Sequence, residues 1–264
     1  MRAGEFGGAA FGFEGLGVVL EEAGRALVAS PLLSSVVLGG SAIALGGSAA
    51  QKADVLPAIA SGERLLALAL EETAHHAPYR IATRATASGE GFSLSGQKTF
   101  VLDGHVADQL IVVARTSGEV SARDGLTLFL VDAGARGVKT TRTTMVDSRN
   151  AANITLDGVD VGTDAIIGEL DRGAEVLDAV LDRGRIALAA EMAKKSGKDP
   201  SSVRVALAFE NDPFSLDVRA GVIDDMKKYG MKAVIDDKLP RDLSDMSATL
   251  PKVKRSEEHT SELQ

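Results

Sequence analysis

A chain of 264 residues, 45% hydrophobic and 25% charged, has material for one large domain or two modest ones. It contains no cysteine, which excludes disulfides and thiolate metal sites, and its net charge of −8 argues against a general nucleic-acid or anionic-membrane surface. The opening Met1–Gly8 has no apolar signal core, and the longest apolar stretches, such as Ser35 to Leu45, are short and broken by glycine. No membrane span is therefore expected, and a cytoplasmic location is.

In chain order, Phe13 to Val28 predicts an amphipathic helix, with Leu16, Val19, Leu20, Ala23 and Leu27 at helical spacing. Pro31 opens a second apolar helix over Leu32 to Leu45. Ser48 is the candidate N-cap of a third, Ala49 to Ala60, closed by Ser61-Gly62. The texture then shifts to short β-type runs: Leu65 to Leu70, Arg80 to Ala87, Phe92 to Ser95, Lys98 to Leu102, Gln109 to Ala114, Leu126 to Val131, Val138 to Thr143 and Ala152 to Leu156. Turn residues separate them at Ser88–Gly91, Ser95-Gly96, Asp103-Gly104 and Asp157-Gly158, the spacing of an antiparallel β-barrel or sandwich. A long helix, Ala174 to Met192, carries an apolar stripe of Leu177, Val180, Leu181, Leu188 and Met192. Gly184 on that stripe allows a close contact. The order of helices, β-domain and helix is α+β.

A break follows near residue 193. Residues 1–192 hold 13 Arg, 3 Lys and 24 acidic residues, whereas residues 193–264 hold 4 Arg, 9 Lys and 13 acidic residues; glycine falls from 25 to 3. Beyond Pro200, Val203 to Phe209, Leu216 to Tyr229 and Met231 to Ile235 spell strand, helix and strand, a βαβ unit that on its own leaves both faces of its sheet uncovered.

Residues 1–192 resemble the acyl-CoA dehydrogenase family. The likeness is carried in order by Gly4–Gly8 with Glu21–Arg25, by Gln51-Lys52 through Leu56-Pro57 and Ala60–Glu63, by Gly91–Val101, and by Leu181–Arg185 with Ala189–Met192. It implies a partial N-terminal helical domain over 1–62, a middle β-domain over 63–170 and the first helix of a C-terminal bundle over 171–192. It also implies FAD as cofactor, an acyl-CoA thioester as substrate, an electron-transfer acceptor as partner and a homo-oligomeric parent. In such enzymes a bundle carboxylate removes the α-proton of a thioester polarised by hydrogen bonds, and the flavin takes the β-hydrogen.

Two segments would touch the flavin by this resemblance: Leu70, Glu72 and Thr73 at the end of one strand, and Phe100, Val101 and Leu102 in another. The loop Thr73–Pro78 departs from the family's usual glycine-rich pattern, and Leu102 stands where a threonine hydroxyl is usual, so FAD binding is expected to be compromised and ordinary fatty-acyl specificity is not carried over. Read without the resemblance, Phe100 is a core aromatic and Glu71-Glu72 a solvated turn. His75-His76 would point to opposite sides of a strand with no third ligand, so no metal site is expected.

The tail resembles a different family. Val205–Ser215, Gly221–Gly230, Ile235–Pro240 and Asp242–Asp245 look like part of one lobe of a branched-chain amino-acid-type periplasmic binding protein. The final Arg255–Gln264 reads as a translated sequencing-library adapter. The expectation is thus a truncated, inactive acyl-CoA dehydrogenase joined to an unrelated fragment (193–254) and an adapter-derived tail (255–264). Its catalytic carboxylate is expected in a missing part of the bundle, so no catalytic residue is named. The alternatives are a chimera without physiological function, or a remnant of a solute-binding transport protein.

Overall fold

The computed structural model describes residues 12–144, 150–195, 204–210 and 232–239. It divides into two compact units, one of Met1–Phe11 with Ala29–Gly184 and one of Gly12–Val28 with Arg185–Gln264.

The larger unit opens with a π-helical segment, Leu32–Gly40, that runs into α2, Ser41–Gly46. One regular helix over Leu32 to Leu45 is therefore corrected to two winds. The wider turn coincides with hydroxyls that bond outside the helix. Ser35 Oγ accepts from Leu66 N at 2.9 Å, and Ser34 Oγ donates to Asp103 Oδ2 at 2.6 Å. Helix α3, Ala49–Ser61, begins as expected: Ser48 and Gln51 form a reciprocal capping box, and Gly62 closes the helix at φ 78°.

Eight strands follow: β1 Leu66–Ala69, β2 Arg84–Ser88, β3 Gly91–Leu102, β4 Gln109–Arg115, β5 Leu126–Asp132, β6 Val138–Thr144, β7 Asn150–Gly162 and β8 Ile166–Ile167. They make one sheet in the order β6-β7-β3-β2-β4-β5-β8, with β1 added beside β4. The pairing is not wholly antiparallel, because β1 runs parallel to β4 over Leu66–Ala69. Two further expectations change. Phe92 to Ser95 and Lys98 to Leu102 are one strand, and Asp157-Gly158 is no strand-ending turn. Leu94 faces Val159 and Gly96 faces Leu156, so β7 carries one extra residue there as a bulge, with Gly158 at φ 60°.

Both faces of β1 and β4 are buried, which accounts for their near-continuous apolar runs. Leu66, Leu68, Leu70, Ile111 and Val113 join Ala42, Ile43 and Val55 in a helix-side core, whereas Ala67, Ala69, Leu110, Val112 and Ala114 face an inner core with Leu94, Ile154 and Phe129. Each fully buried leucine contributes about 1.5–3 kcal/mol. Helix α4, Gly173–Lys195, begins in this unit, and its Ala174, Leu177 and Val180 complete the helix-side core. The apolar stripe of this helix is thus covered over that half, while the side chains of Leu188 and Met192 lie outside the described residues. A Cβ on Gly184 would come within 2.7 Å of Leu38 Cδ2, so that glycine does allow a close contact.

Arg115 organises the segment after β4. Its buried guanidinium donates to the carbonyls of Ile81, Ser117, Asp124, Tyr79, Val120 and Ala122 at 2.7–3.3 Å. Nearby, Asp178 of α4 accepts from the Tyr79 hydroxyl and from Arg123, both at 2.8 Å, tying the approach to β2 to that helix.

In the smaller unit, helix α1 spans Gly12–Arg25. Strands β9, Arg204–Glu210, and β10, Lys232–Leu239, pair in parallel, and the helix expected between them lies outside the described residues.

Candidate functional site

The segment leaving β1 and the middle of β3 are fastened to each other. Lys98 Nζ donates to the Leu70 carbonyl at 3.1 Å and to Glu72 Oε1 at 2.7 Å, and Thr99 N donates to the Glu71 carbonyl at 2.7 Å. Glu72 also accepts from the backbone N–H groups of Ala82 and Thr83, at 2.6 and 2.9 Å. The reading of Glu71-Glu72 as a solvated turn is therefore overturned for Glu72, whose side chain is only 10% exposed against 0% for Lys98.

The electrostatics follow from that burial. Lys98 is pushed down to about 8, chiefly by desolvation, with the Glu72 charge and bond opposing the shift. Desolvation alone would raise the Glu72 carboxyl. The Lys98 charge and bonds from Lys98, Thr83 and Ala82 outweigh it and hold the group below its ordinary value. At neutral pH the two stay an ion pair, a desolvated clasp between the two segments.

On the far side of Lys98 the strand buckles. Lys98 faces Ile154 and Val101 faces Ala152, so β3 holds one extra residue at Thr99-Phe100. Phe100 sits there at φ 51°, in the left-handed region that costs a bulky residue about 1–2 kcal/mol, and the residue is 47% exposed. It is not the core aromatic that its residue type alone predicts. Asn153 of β7 spans the bulge: its Oδ1 accepts from Thr99 Oγ1 at 3.0 Å and from Phe100 N at 3.4 Å.

Of the six residues expected to meet a cofactor, four lie along this clasp. Leu70 contributes its carbonyl while its side chain is in the helix-side core. Glu72 holds Lys98. Thr73 is exposed in a tight turn, its hydroxyl donating to the His75 carbonyl at 3.0 Å. Phe100 is presented outward. Val101 is 2% exposed and packs in the inner core, because strand alternation points it away from the surface. Leu102 is among the residues that line a cavity of about 280 Å³, with Pro31, Leu33, Leu65, His105 and Val106, and with Asp103 and Asn150 as polar neighbours. His105 Nδ1 is buried without a hydrogen-bond partner. His76 Nδ1 lies 2.5 Å from Glu71 Oε1, and the described residues contain no cluster of three His, Cys, Asp or Glu that could hold a metal.

Lys98 and Asn153 are the members of this constellation that residue type did not flag. A lone lysine in a β-run reads as a solvent-facing cation, and the carboxylate that explains it lies 26 residues away.

Comparison with known proteins bears on this geometry. Residues 3–63 match the N-terminal domain model of the acyl-CoA dehydrogenases and residues 67–159 the middle domain model. A 3-(aryl)acrylate reductase of Clostridium sporogenes is 34% identical over 193 residues, covering 71% of this chain and 51% of that protein. Glutaryl-coenzyme A dehydrogenase in complex with glutaryl-CoA superposes with a TM-score of 0.68 at 23% identity, over 86% of this chain and 63% of that one, a likeness of fold. An acyl-CoA dehydrogenase of Bacillus anthracis complexed with FAD gives 0.65 at 25% identity, over 73% and 33%. The chain spans between a quarter and about half of the length of the curated relatives it matches. No helix among the described residues is long and apolar enough to cross a membrane. An α+β arrangement with a few helices around a central sheet, together with two successive domain matches, identifies residues 3–63 and 67–159 as the N-terminal and middle domains of the acyl-CoA dehydrogenase family, whose members are FAD-binding flavoproteins.

Proposed function

We propose that this chain supplies the β-domain wall of a flavin site that serves the α,β-dehydrogenation of an acyl-CoA thioester. The observation that carries the reading is Phe100, an exposed aromatic held at φ 51° on a bulge beside a buried Lys98–Glu72 clasp. Strain of this kind persists only where the surroundings over-determine it, and it gathers at ligand-binding positions. An outward aromatic face with exposed Thr73 on the adjoining segment fits a planar, partly polar heterocycle such as the isoalloxazine of FAD. When bound, FAD supplies the two-electron acceptor for the oxidation.

The residues in hand bind and orient. Phe100 offers a stacking surface, the Lys98–Glu72 pair keeps the two wall segments in register, and the Leu70–Thr73 backbone lines their junction. The proton-abstracting base of the family belongs to its C-terminal bundle, and no described residue is assigned that role. An acyl-CoA substrate, an electron-transfer acceptor, a homo-oligomeric parent and a cytoplasmic location belong to the same proposal.

For residues 193–264 we propose the reading their residues suggest: a piece of an unrelated periplasmic binding protein lobe with an adapter-derived end, joined near residue 193. The shift from Arg to Lys and the parallel β9–β10 pair support it. Sequencing genomic DNA across codons 185–200 decides; one uninterrupted gene in independent reads excludes a join.

The flavin proposal is tested by titrating FAD into the purified chain and following quenching of flavin fluorescence and the shift of its visible bands. Weak saturable quenching is expected, the departures at Thr73–Pro78 and Leu102 lowering the affinity, and it falls about tenfold further in Phe100→Ala, the loss of one stacking contact. Equal affinity in the wild type and Phe100→Ala would remove Phe100 from the site.

A further inference from the structure

An antiparallel ladder leaves a strand residue no freedom to choose its direction: its backbone partners set it. At Thr99-Phe100 the ladder is broken, because β3 takes three steps, from Lys98 to Val101, where β7 takes two, from Ile154 to Ala152. The amide of Thr99 turns away to the Glu71 carbonyl, and neither Thr99 nor Phe100 has a Cα partner in the β7 register. The side chain of Asn153 takes over. Its amide oxygen receives both the Thr99 hydroxyl and the Phe100 N–H, one acceptor closing over the two residues of the bulge.

We propose that Asn153 is the positioning residue of the flavin-facing wall: by accepting from Thr99 and Phe100 it fixes the bulge that turns the Phe100 ring outward. This rests on the flavin reading above and names a residue on a strand that does not itself present the aromatic. Asn153 occupies an exposed position, where packing asks for no particular side chain, and Thr141 is its β6 neighbour. Its contribution here is an acceptor of the right reach. Alanine lacks the acceptor, leucine keeps bulk without it, and aspartate restores an oxygen at the same distance from the backbone. Without Asn153, the Phe100 amide and the Thr99 hydroxyl lose their shared side-chain acceptor. The residue can then relax towards φ below zero, which re-aims the ring and lets the strand slide back into regular pairing.

The test uses the full chain in four forms: wild type, Asn153→Ala, Asn153→Asp and Thr99→Val. Amide hydrogen exchange of Phe100 reads the bulge with no cofactor added, and FAD titration reads the wall. Asn153→Ala is expected to speed exchange at Phe100 about tenfold, the loss of one net hydrogen bond, while the Leu94 amide stays protected. It is expected to weaken FAD quenching about fivefold to tenfold. Asn153→Asp should restore both readouts, and Thr99→Val, which keeps one of the two bonds, should fall between. A merely structural role would move exchange along all of β3 and would not be rescued by aspartate. Asn153→Ala with wild-type exchange at Phe100 overturns the proposal, as does freed exchange with unchanged FAD affinity. If the wild type binds no FAD although Asn153→Ala frees the Phe100 amide, the flavin reading falls, and the positioning role towards flavin falls with it. The exchange result separates that failure from a failure of Asn153 to hold the bulge.

Discussion

Lys98 places an ammonium where its side chain has no exposed surface, and one carboxylate and one carbonyl satisfy it. Removing one partner of such a pair leaves the other charge buried and uncompensated, which costs more than the intact pair is worth. Lys98→Met is therefore expected to destabilise the protein by about 3 kcal/mol, with Glu72→Gln in the same chain recovering part of the loss. Urea unfolding of the single and double variants measures both. Lys98→Met as stable as the wild type would show that the clasp carries no net energy. This residue was illegible in the sequence for a simple reason. Glycine and proline act through local backbone geometry and can be read in place, whereas a buried cation is explained only by a partner brought to it by the fold. Glu72 suffered the same way, since two adjacent glutamates beside a threonine look like turn chemistry until one of them is seen accepting from Ala82 and Thr83.

At the scale of elements, legibility tracked locality. Ser48, Gln51 and Gly62 mark the ends of α3 through contacts within four residues, and the structure puts the helix where they indicate. The dipeptides Ser95-Gly96 and Asp157-Gly158 misled because the positive φ that suits a turn also suits a bulge inside a continuous strand. They lie side by side across β3 and β7, with Gly158 N donating to Ser95 Oγ at 3.1 Å. Gly96 adds a packing demand, since a Cβ there would stand 2.7 Å from Thr83 Cα. Gly96→Ala is expected to cost about 2 kcal/mol through this overlap and the forced separation of β3 from Thr83. A thermal melt reads it, and an unchanged midpoint would mean that the strands part without penalty. The π-helical winding of Leu32–Gly40 had no signal at all in the helical spacing of its apolar residues, because Ser34 and Ser35 bond to groups on distant parts of the chain.

For the whole molecule, the α+β order was legible because helical and strand periodicities occupy separate stretches. The parallel placement of β1 beside β4 was not, since alternation says which face is buried and nothing about the neighbour's direction. Global stability on the alkaline side depends on Tyr79, whose hydroxyl is pushed up to about 12 by burial and by the Asp178 charge it faces. A phenol whose ionisation is resisted in the fold favours folding fully below its ordinary value near 10, and that contribution drains away as pH climbs from about 10 to about 12. Lys98 acts in the opposite sense, its cost of charging easing as pH rises above about 8. Wild type is expected to lose stability above pH 10 more steeply than Tyr79→Phe, measured by urea unfolding across that range; parallel curves would exclude Tyr79 as the cause. Arg115 carries a consequence of another kind. Loops that wrap their carbonyls around a positive centre often borrow calcium for the purpose and slacken when a chelator strips it out. Here the centre is a guanidinium anchored by its own side chain, so the ordering of Ser117 to Asp124 is indifferent to calcium supply and to ethylenediamine-type scavengers, and is inherited with the gene rather than loaded afterwards.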